Sequence, residues 1–294
     1  MSLDEACNHC NGAIPLEYTF CPHCGIQLIC PNVRLASSPE EYKALEKKYK
    51  DAKYQATQRG CSEAIKKLEN ELKTSKAVIG CSISKLLTMA RKSGTFANYY
   101  DLMSYQFLTY TNTDEPDWAK LRPQVEIEFM GSHKNIDQLH YACLSTTRES
   151  LPHYGECTVI LNDHMIEHRS SVFIENSALF FFVNGPNIPS GHRSTWVNRT
   201  KLGTVKLADD IKEDATLKDI ANLIMKCGET ARDDDFLEVQ IFGDMTIRTF
   251  EHITLRKTFR VNQERKRTRL RRGTASENAI KELCKKANVN CEVV

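Results

Sequence analysis

Gln124-Val-Glu-Ile-Glu-Phe-Met130 decides how the middle of this 294-residue chain is read, because Val125, Ile127 and Phe129 alternate with Glu126 and Glu128. A period of two marks a half-buried strand. Outward from it, Gly131-Ser-His-Lys-Asn135 forms a turn, and residues 136–144 read as a second strand. A polar loop with Ser145-Thr-Thr147 and Tyr154-Gly155 follows, then Glu156-Cys-Thr-Val-Ile-Leu161 as a third strand. Ala178-Leu-Phe-Phe-Phe-Val183, the most apolar stretch, is expected at a sheet centre. Phe236-Leu-Glu-Val-Gln-Ile-Phe242 alternates again, Gly243-Asp244 suits a tight turn, and residues 245–255 are expected to return as a hairpin partner.

Helical patterns surround these strands. Ser38-Pro-Glu-Glu41 supplies a capping residue, proline at the first helical position and an acid three residues after the cap. Tyr42, Leu45, Tyr49, Ala52 and Ala56 then make one stripe, continued by Ala64, Ile65, Leu68 and Leu72. Ile79, Ile83, Leu86, Leu87 and Ala90 extend the helical spacing, and Phe96, Tyr99, Tyr100, Met103 and Phe107 add one more amphipathic set. Later helices are predicted over residues 193–207, around Leu217, Ile220, Ala221 and Ile224, and over residues 276–287. Strands interleaved irregularly with helices predict an α+β fold with a mixed or antiparallel sheet and flanking helices. The organisation read from the pattern is a small cysteine module over 1–32, a helical region over 33–110 and an α+β domain over 111–294.

Composition is ordinary, with 41% hydrophobic and 27% charged residues. The net charge of +2 conceals an asymmetry: residues 256–272 hold nine Lys or Arg against one Glu, a net +8 that leaves −6 for the remainder. Arg265, Lys266, Arg267, Arg269, Arg271 and Arg272 are its densest part, the candidate contacts for nucleic acid, since basic segments bind phosphate backbones without reading sequence. The acidic, polar start argues against a secretory signal, and no apolar run approaches the ~20 residues of a membrane span. Twelve cysteines without that signal fit a reducing cytoplasm.

Cys7-Asn-His-Cys10 and Cys21-Pro-His-Cys24 are two Cys-x-x-Cys knuckles ten residues apart. Each can offer two thiolates from one tight turn, and together they close a tetrahedral site for Zn²⁺. Gly12 and Gly25 follow the knuckles, where the backbone must approach sulfur closely. Residues 5–29 resemble the short zinc ribbons found at the start of many bacterial proteins. That resemblance implies a structural zinc, because four protein ligands leave no open position for chemistry, and it suggests a protein partner meeting the ribbon or the helical region.

Two enzymatic patterns stand beside this. His164-x-x-Glu167-His168 has the spacing of inverted zinc peptidases, with Glu238 the candidate third ligand, though a polar turn capped by Asn162 or Asp163 explains the same residues. More broadly, residues 122–256 loosely resemble the NAD-dependent ADP-ribosyltransferases, through Ser145-Thr-Thr147, Tyr154-Gly155 and the late-strand Glu238. The resemblance implies an effector that consumes NAD, with Glu238 stabilising the ribosyl cation and Ser145 bracing the site. Tyr154 would stack on nicotinamide, and His140 or Arg169 would hold the dinucleotide. The chain departs from the family in reading Glu238-Val-Gln240 where Glu-x-Glu is usual, and Arg122 is the candidate for its first-strand arginine. A non-enzymatic reading is a zinc-ribbon adaptor that binds nucleic acid or protein.

Overall fold

The computed structural model describes residues 5–90, 94–104, 116–185, 187–231, 233–256 and 274–294. Two short strands, β1 (Glu5–Ala6) and β2 (Ala13–Ile14), pair antiparallel and frame the cysteine module. Three helices follow: α1 (Pro31–Ala36), α2 (Pro39–Gln58) and α3 (Ser62–Thr74). Ser38 caps α2 by accepting a hydrogen bond from the Glu41 amide, with Pro39 at the first helical position, as the sequence implies.

The chain then enters the sheet with β3 (Lys76–Cys81) and continues through α4 (Ile83–Thr88), α5 (Tyr99–Ser104), α6 (Pro116–Met130), β4 (Leu139–Ser145), β5 (Cys157–Leu161) and α7 (Asp163–Ile166). Next come β6 (Ser170–Phe173), α8 (Ser177–Asn184), β7 (Arg193–Thr195), α9 (Arg199–Leu207) and α10 (Leu217–Ile224). A small ladder, β8 (Met225–Lys226) with β9 (Asp235–Phe236), precedes β10 (Glu238–Phe242), β11 (Phe250–Leu255), α11 (Thr274–Ala287) and β12 (Asn290–Val293). The main sheet has eight strands in the order β12-β11-β5-β3-β4-β10-β6-β7. Its pairs are antiparallel except β11 with β12, whose crossover is made through α11. The architecture is the mixed α+β expected from the sequence.

Each face of the sheet has its own core. Ile79, Leu144, Val159, Val239 and Ile241 meet Leu45, Leu68 and Leu72 from α2 and α3 on one side. On the other, Phe129 and Met130 of α6 and Phe180 and Phe181 of α8 close over Leu139, Phe173 and Phe242. Val78, Cys143, Leu151, Ile160 and Phe236 make a third cluster. Residues 33–110 therefore contribute a strand, and Ile79 lies on β3 and not in a helical stripe.

Four further sequence expectations are corrected. Residues 124–130 belong to the helix α6: Val125, Glu126, Phe129 and Met130 are the buried positions, a helical spacing that the alternation of types disguised. Glu126 is buried because Arg122 and Tyr141 hold it, so polar identity did not mean solvent exposure. Residues 178–183 form α8, capped by the Asn176 side chain on the Ala178 amide and ended by Gly185 at φ 73°. There Phe180 and Phe181 are buried while Phe182 is 73% exposed, so the run is one-sided. Finally, β10 and β11 are not a hairpin: β10 lies between β4 and β6, and β11 lies between β5 and β12. Residues 193–207 are helical only in part, since β7 precedes α9.

Gly155 shows how tightly the loop before β5 seats on β3. Its φ is 133°, and a Cβ there would sit 2.4 Å from the Cys81 carbonyl carbon and oxygen. Gly155→Ala should therefore cost about 3 kcal/mol or more in urea unfolding, from backbone strain and overpacking together. A loss below about 1 kcal/mol would contradict this seating.

Candidate metal centre and buried polar layer

The two cysteine knuckles have matching backbones. Cys7 N–H donates to the Gly12 carbonyl at 2.8 Å and Cys21 N–H to the Ile26 carbonyl at 2.8 Å. The residue that turns left-handed is Asn11 (φ 57°) in the first knuckle and Gly25 (φ 72°) in the second. Gly12 serves differently from the expectation, because a Cβ there would meet the His23 ring at 2.2 Å. Cys7 Sγ lies 3.8 Å from Cys24 Sγ, and Cys10 Sγ lies 3.6 Å from Cys21 Sγ. A tetrahedron of sulfurs at about 2.3 Å from zinc has edges of about 3.8 Å, so the four thiols fit one ion. Burial opposes ionisation of Cys21, but the backbone amides of His23 and Cys24 bring it down to about 7, while Cys24, against the Ile26 amide, is pushed up to about 12 by burial and the neighbouring thiols. The module docks on the main body through Arg34, whose guanidinium donates to the Leu16 and Tyr18 carbonyls, and through Lys134 and Asn135 on Glu17.

Beneath α8 and α1 runs a chain of buried polar groups. Glu238 Oε2 accepts from Ser177 Oγ at 3.0 Å, and Oε1 accepts from Gln240 Nε2 at 3.1 Å. Gln240 Oε1 accepts from Ser171 Oγ at 3.0 Å, and Asn32 of α1 directs Nδ2 at Ser171 Oγ and the Gln240 carbonyl. These bonds are why a strand covered on both faces tolerates Glu238 and Gln240. Burial pushes the Glu238 carboxyl up to about 7 despite the bonds from Gln240 and Ser177.

The residues singled out from sequence are distributed as follows. Ser145 is buried at the end of β4, with Oγ 3.3 Å from Thr147 Oγ1. Tyr154 is 40% exposed, edge-on to Phe236, with its hydroxyl on the Ala231 carbonyl. Among the described residues no hydrogen bond joins Ser145, Tyr154 and Glu238. His140 is buried against Phe96, and burial, reinforced by Lys85 and Arg169, lowers it to about 3, which keeps it neutral. Arg169 clamps the turn after β10 by donating to the Phe242 and Asp244 carbonyls. Arg122 is on helix α6, paired with Glu126. His164 and Glu167 are exposed, 3.7 Å apart, on a turn capped by Asn162. They line an open cleft of about 580 Å³ with Lys76, Trp196 and Arg199. Of the basic segment, Arg265, Lys266, Arg267, Arg269, Arg271 and Arg272 lie outside the described residues.

One further convergence was not marked by any pattern: the ligand atoms of His153, Cys227 and Asp234 lie within 4.8 Å of one another. Three single residues from separated segments give no spacing to read. A scan against protein-family models and a search of curated proteins gave no match.

The Glu238 environment has a pH signature. A carboxyl with a raised folded pKa stabilises the fold fully below the unfolded value of about 4.3, and that contribution is lost as pH rises through about 7. Measured by denaturation between about pH 4 and pH 8, the stability of Glu238→Gln relative to the parent should shift by roughly 3 kcal/mol in the variant's favour. A difference that does not change with pH would mean the carboxylate is solvated.

Proposed function

We propose that this chain is a zinc-ribbon binding protein for nucleic acid, with the ribbon as a structural module. The observation that carries the reading is the charge: residues 256–272 are +8 in a chain whose remainder is −6. In sequence the segment lies between β11 and α11. Four thiols around one Zn²⁺ leave no coordination site for a substrate, which supports a scaffolding and not a catalytic ribbon. Tyr18 and Phe20 are exposed on the ribbon at 39% and 56%, and Lys134 lies over the Tyr18 ring at 5.6 Å. Exposed rings beside a cation suit stacking on unpaired bases. Twelve free thiols fit a reducing, cytoplasmic setting, and no helix among the described residues is long and apolar enough to cross a membrane.

A second reading, an NAD-consuming transferase of the ADP-ribosyltransferase kind, is favoured by one observation. Glu238 is a buried carboxyl raised to about 7, and strongly perturbed groups concentrate at functional sites. Its hydrogen bonds to Ser177 and Gln240 account for the same group structurally, and this places the binding reading first.

For the binding reading, affinity for single-stranded oligonucleotides should fall steeply with salt through counterion release. Neutralising Arg265, Lys266 and Arg267 with glutamine should flatten the log–log salt slope by about 2, at roughly 0.7 per lost contact. Cys21→Ser should remove one equivalent of zinc and leave the main sheet folded. An unchanged slope, or no binding at low salt, rejects the proposal. For the transferase reading, Glu238→Gln should lower NAD turnover by at least roughly a hundredfold. Absence of nicotinamide release with any nucleic-acid or protein target rejects it.

A further inference from the structure

Cys227 and Asp234 flank the neck of the β8–β9 ladder. Met225 pairs with Phe236 and Lys226 with Asp235, so Cys227 and Asp234 are the next residues across from each other. Two features hold that neck. The Gly228 amide donates to Asp234 Oδ1 at 2.9 Å, and the Asn176 side chain donates to the Asp234 carbonyl at 3.0 Å. A Cβ on Gly228 would collide with Asp233 at 2.4 Å, so a residue without a side chain is required there.

His153 arrives from a short helical turn, Pro152–Tyr154, between β4 and β5. The turn is anchored by Leu151, which is buried with Val78, Cys143, Ile160 and Phe236. Tyr154 packs on Phe236 and donates to the Ala231 carbonyl inside the ladder's own loop. The three side chains are thus carried by packed elements, not by a free loop.

The decisive feature is which atoms meet. His153 Nδ1 lies 3.0 Å from both Asp234 carboxylate oxygens and 4.0 Å from Cys227 Sγ. A nucleophilic cysteine activated by a histidine and oriented by an aspartate needs its two partners on opposite ring nitrogens. Here sulfur and carboxylate share one nitrogen, so a proton relay through the ring is excluded by geometry. Three different donors directed at one point are what a cation requires. An ion at about 2.0–2.3 Å from each donor would set N···O at about 3.4 Å and N···S at about 3.6 Å. The N···O and N···S separations lie within roughly half an ångström of these, and all three ligand atoms lie within 4.8 Å of one another. Asp234 is fully buried, and its carboxylate is met there by the Gly228 amide and by His153 Nδ1.

The geometry points to a second metal site, in which His153 Nδ1, Cys227 Sγ and an Asp234 carboxylate oxygen hold one divalent transition-metal ion with a fourth position open to solvent. The donor set selects the ion: thiolate and imidazole suit Zn²⁺ and disfavour Mg²⁺ and Ca²⁺, which take oxygen ligands. Cys227 is exposed, so the open side faces water, unlike the closed four-cysteine site. Such three-ligand sites take water or a substrate oxygen in the remaining position.

The test uses the full chain with the ribbon zinc in place, after a mild chelator has removed any zinc beyond that one equivalent, titrated with Co²⁺ at neutral pH. One Co²⁺ per chain should bind beyond the ribbon zinc and show thiolate-to-cobalt charge transfer of one sulfur's intensity. Cys227→Ala should abolish that band, and this exposed position carries no core packing. His153→Ala should weaken Co²⁺ binding by at least roughly a hundredfold. Both variants should keep the ribbon zinc, so the result is independent of the nucleic-acid reading. No added Co²⁺ uptake, or uptake with an unchanged band in Cys227→Ala, overturns the inference.

Discussion

β3 is the strand on which the rest of the sheet depends. It lies between β4 and β5 and pairs antiparallel with both, so without it the sheet divides into β12-β11-β5 and β4-β10-β6-β7. Its two faces serve different cores: Ala77, Ile79 and Cys81 belong to the cluster that includes Leu45, Leu68 and Leu72 of α2 and α3, while Val78 packs with Cys143, Leu151 and Ile160. At Gly80 it has no side chain, and the 150–155 loop presses in there, with Tyr154 Cβ 2.8 Å from where a Cβ would stand. The Glu156 carboxylate then accepts from the Ile83 amide just beyond β3. The loop that carries His153 is therefore placed by β3 on one side and by Phe236 on the other.

That arrangement sorts the polar groups by what they can do. Those on β10 are enclosed: the Glu238 carboxylate accepts from Ser177, the Gln240 side chain accepts from Ser171, and the Gln240 carbonyl accepts from Asn32. An enclosed, hydrogen-bonded layer fixes register and helix placement, since mispairing would leave further buried groups unsatisfied beside Asn32 Oδ1, which has no partner among the described residues. Groups available for chemistry lie instead at the margins of the sheet. The cysteine module is one margin, and the β8–β9 neck with the 152–154 turn is the other. The first has four like ligands and is closed; the second has three unlike ligands and an open side.

Legibility in the sequence followed the range of the interactions. Caps and stripes are local, so α2, α3 and α10 were readable from Ser38, the Leu45 to Leu72 positions and Ile220 with Ile224. The cysteine site was readable because both knuckles carry their ligands within four residues. Residues 124–130 misled because burial of Glu126 depends on Tyr100 and Tyr141, which no local window connects to it, as well as on Arg122 one helical turn before it. Residues 178–183 misled because an all-apolar run has no period, and only Asn176 and Gly185 at its ends announce a helix. β3 was hidden inside an apparently helical stretch because Ile79 and Ile83 are four residues apart, although the chain turns between them at Ser82. The His153, Cys227 and Asp234 site is the extreme case, since its members meet only after the ladder and the loop are folded.

The central claim is that β3 unites residues from the helical first third with the later strands in one cooperative core. Native-state hydrogen exchange of the β3 amides tests it most directly, because exchange free energies report which elements open together. The amides of Val78 and Ile79 should exchange only through global unfolding, at the same free energy as those of β4 and β10. Exchange of the β3 amides together with α2 and α3 at a distinctly lower free energy, while β4 and β10 stay protected, would contradict it.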